Sequence, residues 1–468
     1  MYKRRKISRL TIRIMHIHEQ LVRVLQGYLT DKQFLTVSGV LIGISAAVAA
    51  ILLKAMVYYI HVTVFPQHAA SVNPLIYSAM PLVGILVTSW LTKRYFDGNL
   101  SGGNAKIMHA IQQKRSLLPR KWMYAHVFTS AITVGTGGST GLETPIVSTG
   151  AAIGANYGRT YRVSPQDRTI LLASGVAGGI AATFNAPIAG VLFAIEVLLG
   201  EISVAAFTPL LISAATGAIL SNLILQESIL LNFHDMAPFD PHNVVFYLLL
   251  GFLCGVASAY YIRTSRFFET IFHRVKSRYR YYKAIAGGIL LGILIWLFPP
   301  LFGEGYESIK TLANDDTVNL FKDSALFSSI DHDAIILLLL SVIILLKVIA
   351  TSITLGSGGN GGNFAPSLFT GAYLGFVFAG IINLTGIVSV PTANFTVVAM
   401  GGILSGVFYA PLTAIFLIAE ITGGYDLIIP LMIVSALSFG VSRYLLGYSL
   451  DGWKLQQLLL KEKKGQSL

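Results

Sequence analysis

A single cysteine, Cys254, stands in 468 residues, which excludes an intramolecular disulfide framework and carries no information on redox compartment. Charge is nearly as scarce. Asp, Glu, Lys and Arg together make up 12% of the chain against 54% hydrophobic residues, where a soluble domain carries about 25% charged residues. That balance excludes an ordinary soluble globular protein and implies a polytopic membrane protein. Acidic residues number only 22 against 34 Lys and Arg, a net charge of +12. The excess gathers at the chain ends and in short connections: Lys3 to Lys6, Lys114 to Lys121, Arg274 to Lys283, and Lys461 to Lys464. Basic residues at span ends mark cytoplasmic loops and termini, so no nucleic-acid partner is needed to explain them. No cleavable leader is expected from the opening residues. The chain opens instead on a basic amphipathic stretch, Ile7 to Leu29, that reads as an interfacial cytoplasmic helix, and the first long apolar run begins near Phe34.

What is present in abundance is apolar sequence of membrane-spanning length. About 20 such residues cross the hydrocarbon core as a helix, and runs near 35–64, 75–93, 170–199, 204–225, 244–262, 284–302, 334–355, 366–385, 394–420 and 426–447 qualify. The stretches 123–141, 144–157 and 356–365 are too short or too glycine-rich, as expected of broken helices buried in protein. The expected organisation is an interfacial segment (1–33), a first membrane repeat (34–232), a second (243–448) and a cytoplasmic tail (449–468). The mixed loop from Gly303 to Asp333 is expected outside the membrane.

The two halves repeat each other. Phe184-Asn185-Ala186-Pro187 runs through apolar sequence to Glu196, and Phe408-Tyr409-Ala410-Pro411 runs likewise to Glu420, 224 residues later. Gly141-Leu142-Glu143-Thr144-Pro145 matches Gly362-Asn363-Phe364-Ala365-Pro366 at an offset of 221. Two blocks in the same order at nearly constant offset imply duplication. Transporters built this way place their site where discontinuous helices of the two repeats meet.

Within that frame Glu143 stands out as a lone carboxylate among glycines at expected membrane depth, where an ionisable group is expensive and marks an ion or proton path. Both matched blocks, and a third from Gly98 to Asn104, put glycine before a helix start. Helix N-termini offer unpaired N–H groups and partial positive charge, so three of them converging would cradle a small anion without any basic side chain. Two pattern matches carry less weight. Gly356 to Gly361 fits a dinucleotide fingerprint but has no βαβ surroundings. Gly137-Gly138-Ser139-Thr140-Gly141 fits a nucleophile elbow, so an intramembrane serine hydrolase is a remote alternative that needs a histidine base on a neighbouring span. Neither a cofactor nor a metal is expected.

These blocks resemble the CLC chloride channels and chloride/proton antiporters across nearly the whole membrane portion. GLETP stands for the family's GREGP and GGNFAP for its GxFxP block, and the Phe-to-Glu segments stand for its repeated helices. The resemblance implies an all-α membrane protein of two inverted-topology repeats, a homodimer in the cytoplasmic membrane with both termini cytoplasmic, here without the family's regulatory domain pair. It implies Glu143 as the gate, blocking the outer anion site when ionised. It places Gly102, Gly103, Asn104, Leu142, Asn363 and Phe364 at anion-binding positions, and Asp451 loosely on the coordinating tyrosine, with Tyr448 close by. Gly102 replaces the usual serine ligand. An ionised Asp451 about 4 Å from an anion would cost on the order of 4 kcal/mol at an effective dielectric of 20, so its side chain is expected to turn away, to be protonated, or to sit in a differently built inner mouth, the first being preferred. Val197 replaces the inner glutamate of many antiporters. Glu196 and Glu420, at equivalent repeat positions, read as structural caps. The implied function is chloride (or similar anion)/proton antiport, with a passive proton-gated anion channel as the alternative.

Overall fold

The computed structural model describes residues 30–465, except 66–73, 97, 99, 101–102, 114, 201–203, 227–230, 232–235, 314–317, 322–323, 325 and 328–331. The expected N-terminal interfacial helix therefore lies outside the described residues. The chain is almost entirely helical. Its first repeat holds α1 (Asp31–Val64), α2 (Pro74–Tyr95), α3 (Gly103–Gln113), α4 (Trp122–Gly135), α5 (Glu143–Thr160), α6 (Pro165–Phe184), α7 (Pro187–Phe193) and α8 (Val204–Leu225). The second holds α9 (Val244–Arg274), α10 (Arg280–Leu297), α11 (Tyr306–Ala313), α12 (Asp333–Ser357), α13 (Phe364–Leu384), α14 (Thr392–Phe408), α15 (Pro411–Ile421) and α16 (Ile428–Leu446), followed by α17 (Leu450–Gly465). Among the described residues, eight helices are long and apolar enough to cross a bilayer, which makes this a multi-pass membrane protein. Their lipid-side apolar residues stay exposed in the isolated chain, as Leu223, Val245 and Leu338 do.

Two of the long apolar runs are not single helices. The run 170–199 breaks at Asn185 and the run 394–420 at Tyr409, both left-handed with φ of 54° and 58°. Pro187 and Pro411 then open the next helix at its first turn, where a missing N–H does no harm. Asparagine tolerates that conformation, whereas a tyrosine pays for it. Tertiary contacts hold Tyr409 there: its hydroxyl donates to the Ser442 carbonyl at 3.2 Å and its ring stands edge-on to Phe439. The segment after α7 continues as a π-helical turn, Ala194–Leu199, which carries Glu196 and Val197.

The breaks create two buried helix starts, and each repeat caps the other's. Glu196 accepts from the backbone N–H groups of Leu412 (3.1 Å) and Thr413 (2.8 Å), and from the Thr413 hydroxyl at 2.8 Å. Glu420 accepts from the N–H groups of Ile188 (3.0 Å) and Ala189 (2.8 Å). The two caps are 224 residues apart in both donor and acceptor, so the expected structural role of this pair holds. Each carboxylate satisfies two otherwise unpaired donors and complements the helix dipole. Replacing either Glu196 or Glu420 by alanine is expected to cost about 2 kcal/mol, read as matched drops in thermal unfolding temperature in detergent, with glutamine recovering part of each.

Candidate functional site

Site construction begins with Gly141 and Gly362, the repeat-equivalent glycines, which form an isolated antiparallel bridge. Gly141 N–H donates to the Gly362 carbonyl at 3.0 Å and Gly362 N–H to the Gly141 carbonyl at 2.9 Å. The bridge pins the start of α5 against the start of α13. The start of α3 joins them: a Cβ added to Gly103 would lie 2.3 Å from Thr144 Cγ2, and one added to Gly362 would lie 2.2 Å from Thr144 Oγ1. Only glycine lets the three backbones approach so closely. The expected convergence of three helix starts is thus present, and Thr144 sits at its centre.

Glu143 opens α5 with 1% of its surface exposed. Its Oε2 faces the backbone N–H of Ala365, in the first turn of α13, at 3.4 Å. Its Oε1 accepts from the Tyr306 hydroxyl at 2.7 Å. A carboxylate from one repeat therefore occupies the partial positive charge at a helix start of the other. On one side of this seat lies a cavity of about 170 Å³. Gly103, Asn104, Thr144, Gly362, Asn363 and Asp451 line it near the helix starts, and Arg280, Lys283 and Lys454 line it further out. Glu143 is not among its lining residues, whereas its neighbour Thr144 is.

Asn363 holds its side chain by accepting from the Tyr261 hydroxyl at 3.2 Å. Phe364 is buried among the rings of Phe184, Phe193 and Phe408, with centroids 5.5–5.9 Å away. Leu142 packs its side chain with Ala47, Leu53 and Val127 and contributes to the site through its backbone. Val197 is buried in the apolar core at 8% exposure. Gly102 lies outside the described residues. Tyr448 is engaged by Arg266 and is absent from the cavity lining.

Asp451 lines the cavity and accepts from Asn104 Nδ2 at 2.8 Å. Lys454 also lines the cavity, one turn along the same helix, and pairs with Glu269 at 3.2 Å. That cation eases the burial of an acid which the sequence pattern alone made look repulsive. α17 is accordingly more than a tail, since its first turn packs on α3 and builds this end of the cavity. The loop after Gly303 folds back onto the start of α5: Glu304 accepts from the Leu142 N–H at 3.2 Å and Tyr306 donates to Glu143, so the run Gly303 to Tyr306 forms one wall around the Glu143 carboxylate. A carboxylate flanked by glycines, repeating the Gly-Leu-Glu character of the first block, is the signal that could have found it.

Among the described residues, no histidine is hydrogen-bonded to Ser139. Ser139 Oγ is buried with no hydrogen-bond partner, while His126 Nδ1 lies 3.4 Å from Asn360 Nδ2.

Comparison with known proteins agrees with this architecture. The family model described as "Voltage gated chloride channel" matches residues 83–443. A putative chloride channel protein ClcB-like from Ralstonia nicotianae is 31% identical over 340 residues, covering 71% of this chain and 74% of that protein. The H(+)/Cl(-) exchange transporter ClcA of Vibrio campbellii is 29% identical over 408 residues, covering 85% and 83% respectively. Among solved structures, a slow cyanobacterial Cl−/H+ antiporter superposes with a TM-score of 0.77 at 23% identity, over 93% of this chain and all (100%) of that one. A CLC-type fluoride/proton antiporter gives 0.71 at 21% identity, over 95% and 98%. These two likenesses establish the fold.

The packing around Gly141 has a direct check. A Cβ there would lie 2.2 Å from Glu143 Oε2 and 2.9 Å from the Ala365 Cβ. Gly141→Ala is therefore expected to destabilise the protein by about 1–3 kcal/mol, and adding Glu143→Ala to recover part of that loss, measured by thermal unfolding of both variants in the same detergent.

Proposed function

The chain belongs to the voltage-gated chloride channel family, and from that premise we propose that it exchanges chloride, or a similar small anion, for protons across the cytoplasmic membrane. One observation carries this reading: the Glu143 carboxylate rests against the α13 start, bonded to Tyr306 and facing Ala365 N–H, in a place suited to an anion. Ionised, Glu143 competes with the transported anion for the same N–H groups. Protonated, it loses the charge that holds it there and leaves the path open. Backbone groups around Gly103, Asn104, Asn363 and Phe364 then receive the anion from the cavity, and Arg280 and Lys283 draw anions toward the mouth. The names of the ClcA relatives support the exchange of chloride for protons. Basic connections support cytoplasmic termini, and the resemblance in fold supports a homodimer in which each subunit has its own pore.

In proteoliposomes with a chloride electrode and a pH electrode, Glu143→Gln is expected to keep anion flux and lose both its pH dependence and its proton flux. An unchanged pH profile would sink the gate assignment.

A passive proton-gated channel is the second reading, and Val197 favours it. Its side chain is apolar and buried where a proton from the inner side would need water or a titratable group. Under either reading Val197→Glu supplies a buried carboxylate that can carry a proton. It is expected to raise the proton-to-anion ratio, read from the reversal potential at a fixed anion gradient. A native ratio that is already fixed and does not respond would place the proton route elsewhere and remove the channel reading.

A further inference from the structure

The run Gly303-Glu304-Gly305-Tyr306 brings two functional groups to the start of α5, and the whole run is held in place from behind. Lys347 of α12 is fully buried, at 0% exposure. Its ammonium donates to the carbonyls of Gly303 (3.0 Å) and Leu301 (3.4 Å) and lies 4.6 Å from the centre of the Phe369 ring. Gly303 N–H donates to the Gly137 carbonyl at 3.1 Å, tying the run to the loop that precedes Glu143. Gly305 has φ of 98°, and a Cβ there would sit 2.4 Å from Phe369 Cδ2. A buried lysine spent on two loop carbonyls is an expensive anchor for a segment without a function.

What the anchor positions is a second carboxylate beside the first. Glu304 Oε1 accepts from Leu142 N–H, one residue before Glu143. Glu304 is half-buried and Glu143 fully so. The charged groups that face Glu304 are Glu143 on α5, Lys54 on α1 and Lys347 on α12, with the Tyr306 hydroxyl at the Glu143 carboxylate. His61, on α1, packs its ring against Phe302 just before the run, at 6.0 Å. Two carboxylates on one helix start repel, and the arrangement is relieved when they hold one proton between them.

We propose that Glu304 is the proton partner of the gate: a relay carboxylate that takes the proton Glu143 releases and passes it to water on the side away from the cavity. The proposal rests on Glu143 being the gate. The transfer is balanced within the pair. The Glu143 O–H bond breaks, a Glu304 O–H bond forms, and the negative charge moves from Glu304 to Glu143. Glu143 is then ionised and can settle on the α13 start, where the Tyr306 hydroxyl donates to it. Tyr306 is a positioning residue in this scheme, and Lys347 holds the loop at the distance the transfer needs.

The test uses the full-length protein in liposomes. Glu304→Gln keeps the shape and can still accept from Leu142 N–H, but carries no exchangeable acid proton. It is expected to retain anion flux, to slow proton flux by about tenfold or more, and to move the midpoint of the pH profile on the order of one unit lower, because Glu143 ionises more readily without a like charge beside it. Glu304→Asp, which keeps the acid, is expected to restore most of the proton flux. Equal behaviour of the Gln and Asp variants, or parent-like behaviour of Gln, overturns the proposal. Glu143→Gln run alongside separates the failures: if it keeps the parent's pH dependence, the gate reading itself has failed. Should Glu304→Gln not fold, infrared titration of Glu143→Gln decides. One carboxylic-acid band should be missing and another should titrate at lower pH than in the parent, and a spectrum without that shift overturns the relay.

Discussion

Everything at this site depends on holding negative charge in a protein interior, where Glu143 and Glu304 take their hydrogen bonds from backbone N–H groups and a tyrosine hydroxyl. The solution is distributed: backbone N–H groups at helix starts supply fractions of positive charge that need no desolvation, since they are already part of the fold. Glu143 uses the start of α13 and Glu304 uses the N–H just before α5. Glu196 and Glu420 use the same device at the starts of α15 and α7, where it serves stability. Four carboxylates thus meet one constraint, and their surroundings differ between Glu143 and the caps. The caps accept two backbone donors each from short helices fixed by proline. Glu143 faces the Ala365 N–H at a longer distance, and its other oxygen accepts from the Tyr306 hydroxyl at the start of α11.

Duplication makes this economical. The Gly141–Gly362 bridge joins residues at equivalent repeat positions, and the reciprocal caps do the same. An interface made of equivalent residues brings two helix starts to one point, and α3 adds a third. Departures from symmetry then create function. The first block carries Glu143 where the second carries Phe364, so one half supplies a carboxylate and the other an aromatic wall packed on Phe184 and Phe408.

The cavity side follows a different logic. Asp451 is buried at 9% exposure, yet it lies within a chain of partners: Asn104 donates to it, and Lys454, on the same helix, lines the same cavity and pairs with Glu269. Removing one member of such a network leaves the others unsatisfied, which is why buried polar networks are costly to break. The cavity thus holds an acid, Asp451, together with the basic side chains of Arg280, Lys283 and Lys454.

The sequence by itself determined the membrane class, the repeats, the three glycine-rich helix starts, Glu143 and the capping pair. These are legible because hydropathy, duplication and a lone carboxylate among glycines are local patterns with one cheap physical explanation each. It misread the runs 170–199 and 394–420 as continuous, because a left-handed Tyr409 is paid for by Ser442 and Phe439, far away in sequence. It left several arrangements open for Asp451, because the donor that binds it, Asn104, is 347 residues distant. It left Glu304 and Tyr306 unassigned, because a polar loop is an exposed loop until tertiary packing folds it back, and Lys347, because its partners, the Leu301 and Gly303 carbonyls, lie in that loop. Which charges face each other is decided by distances between segments, and only the tertiary structure holds those.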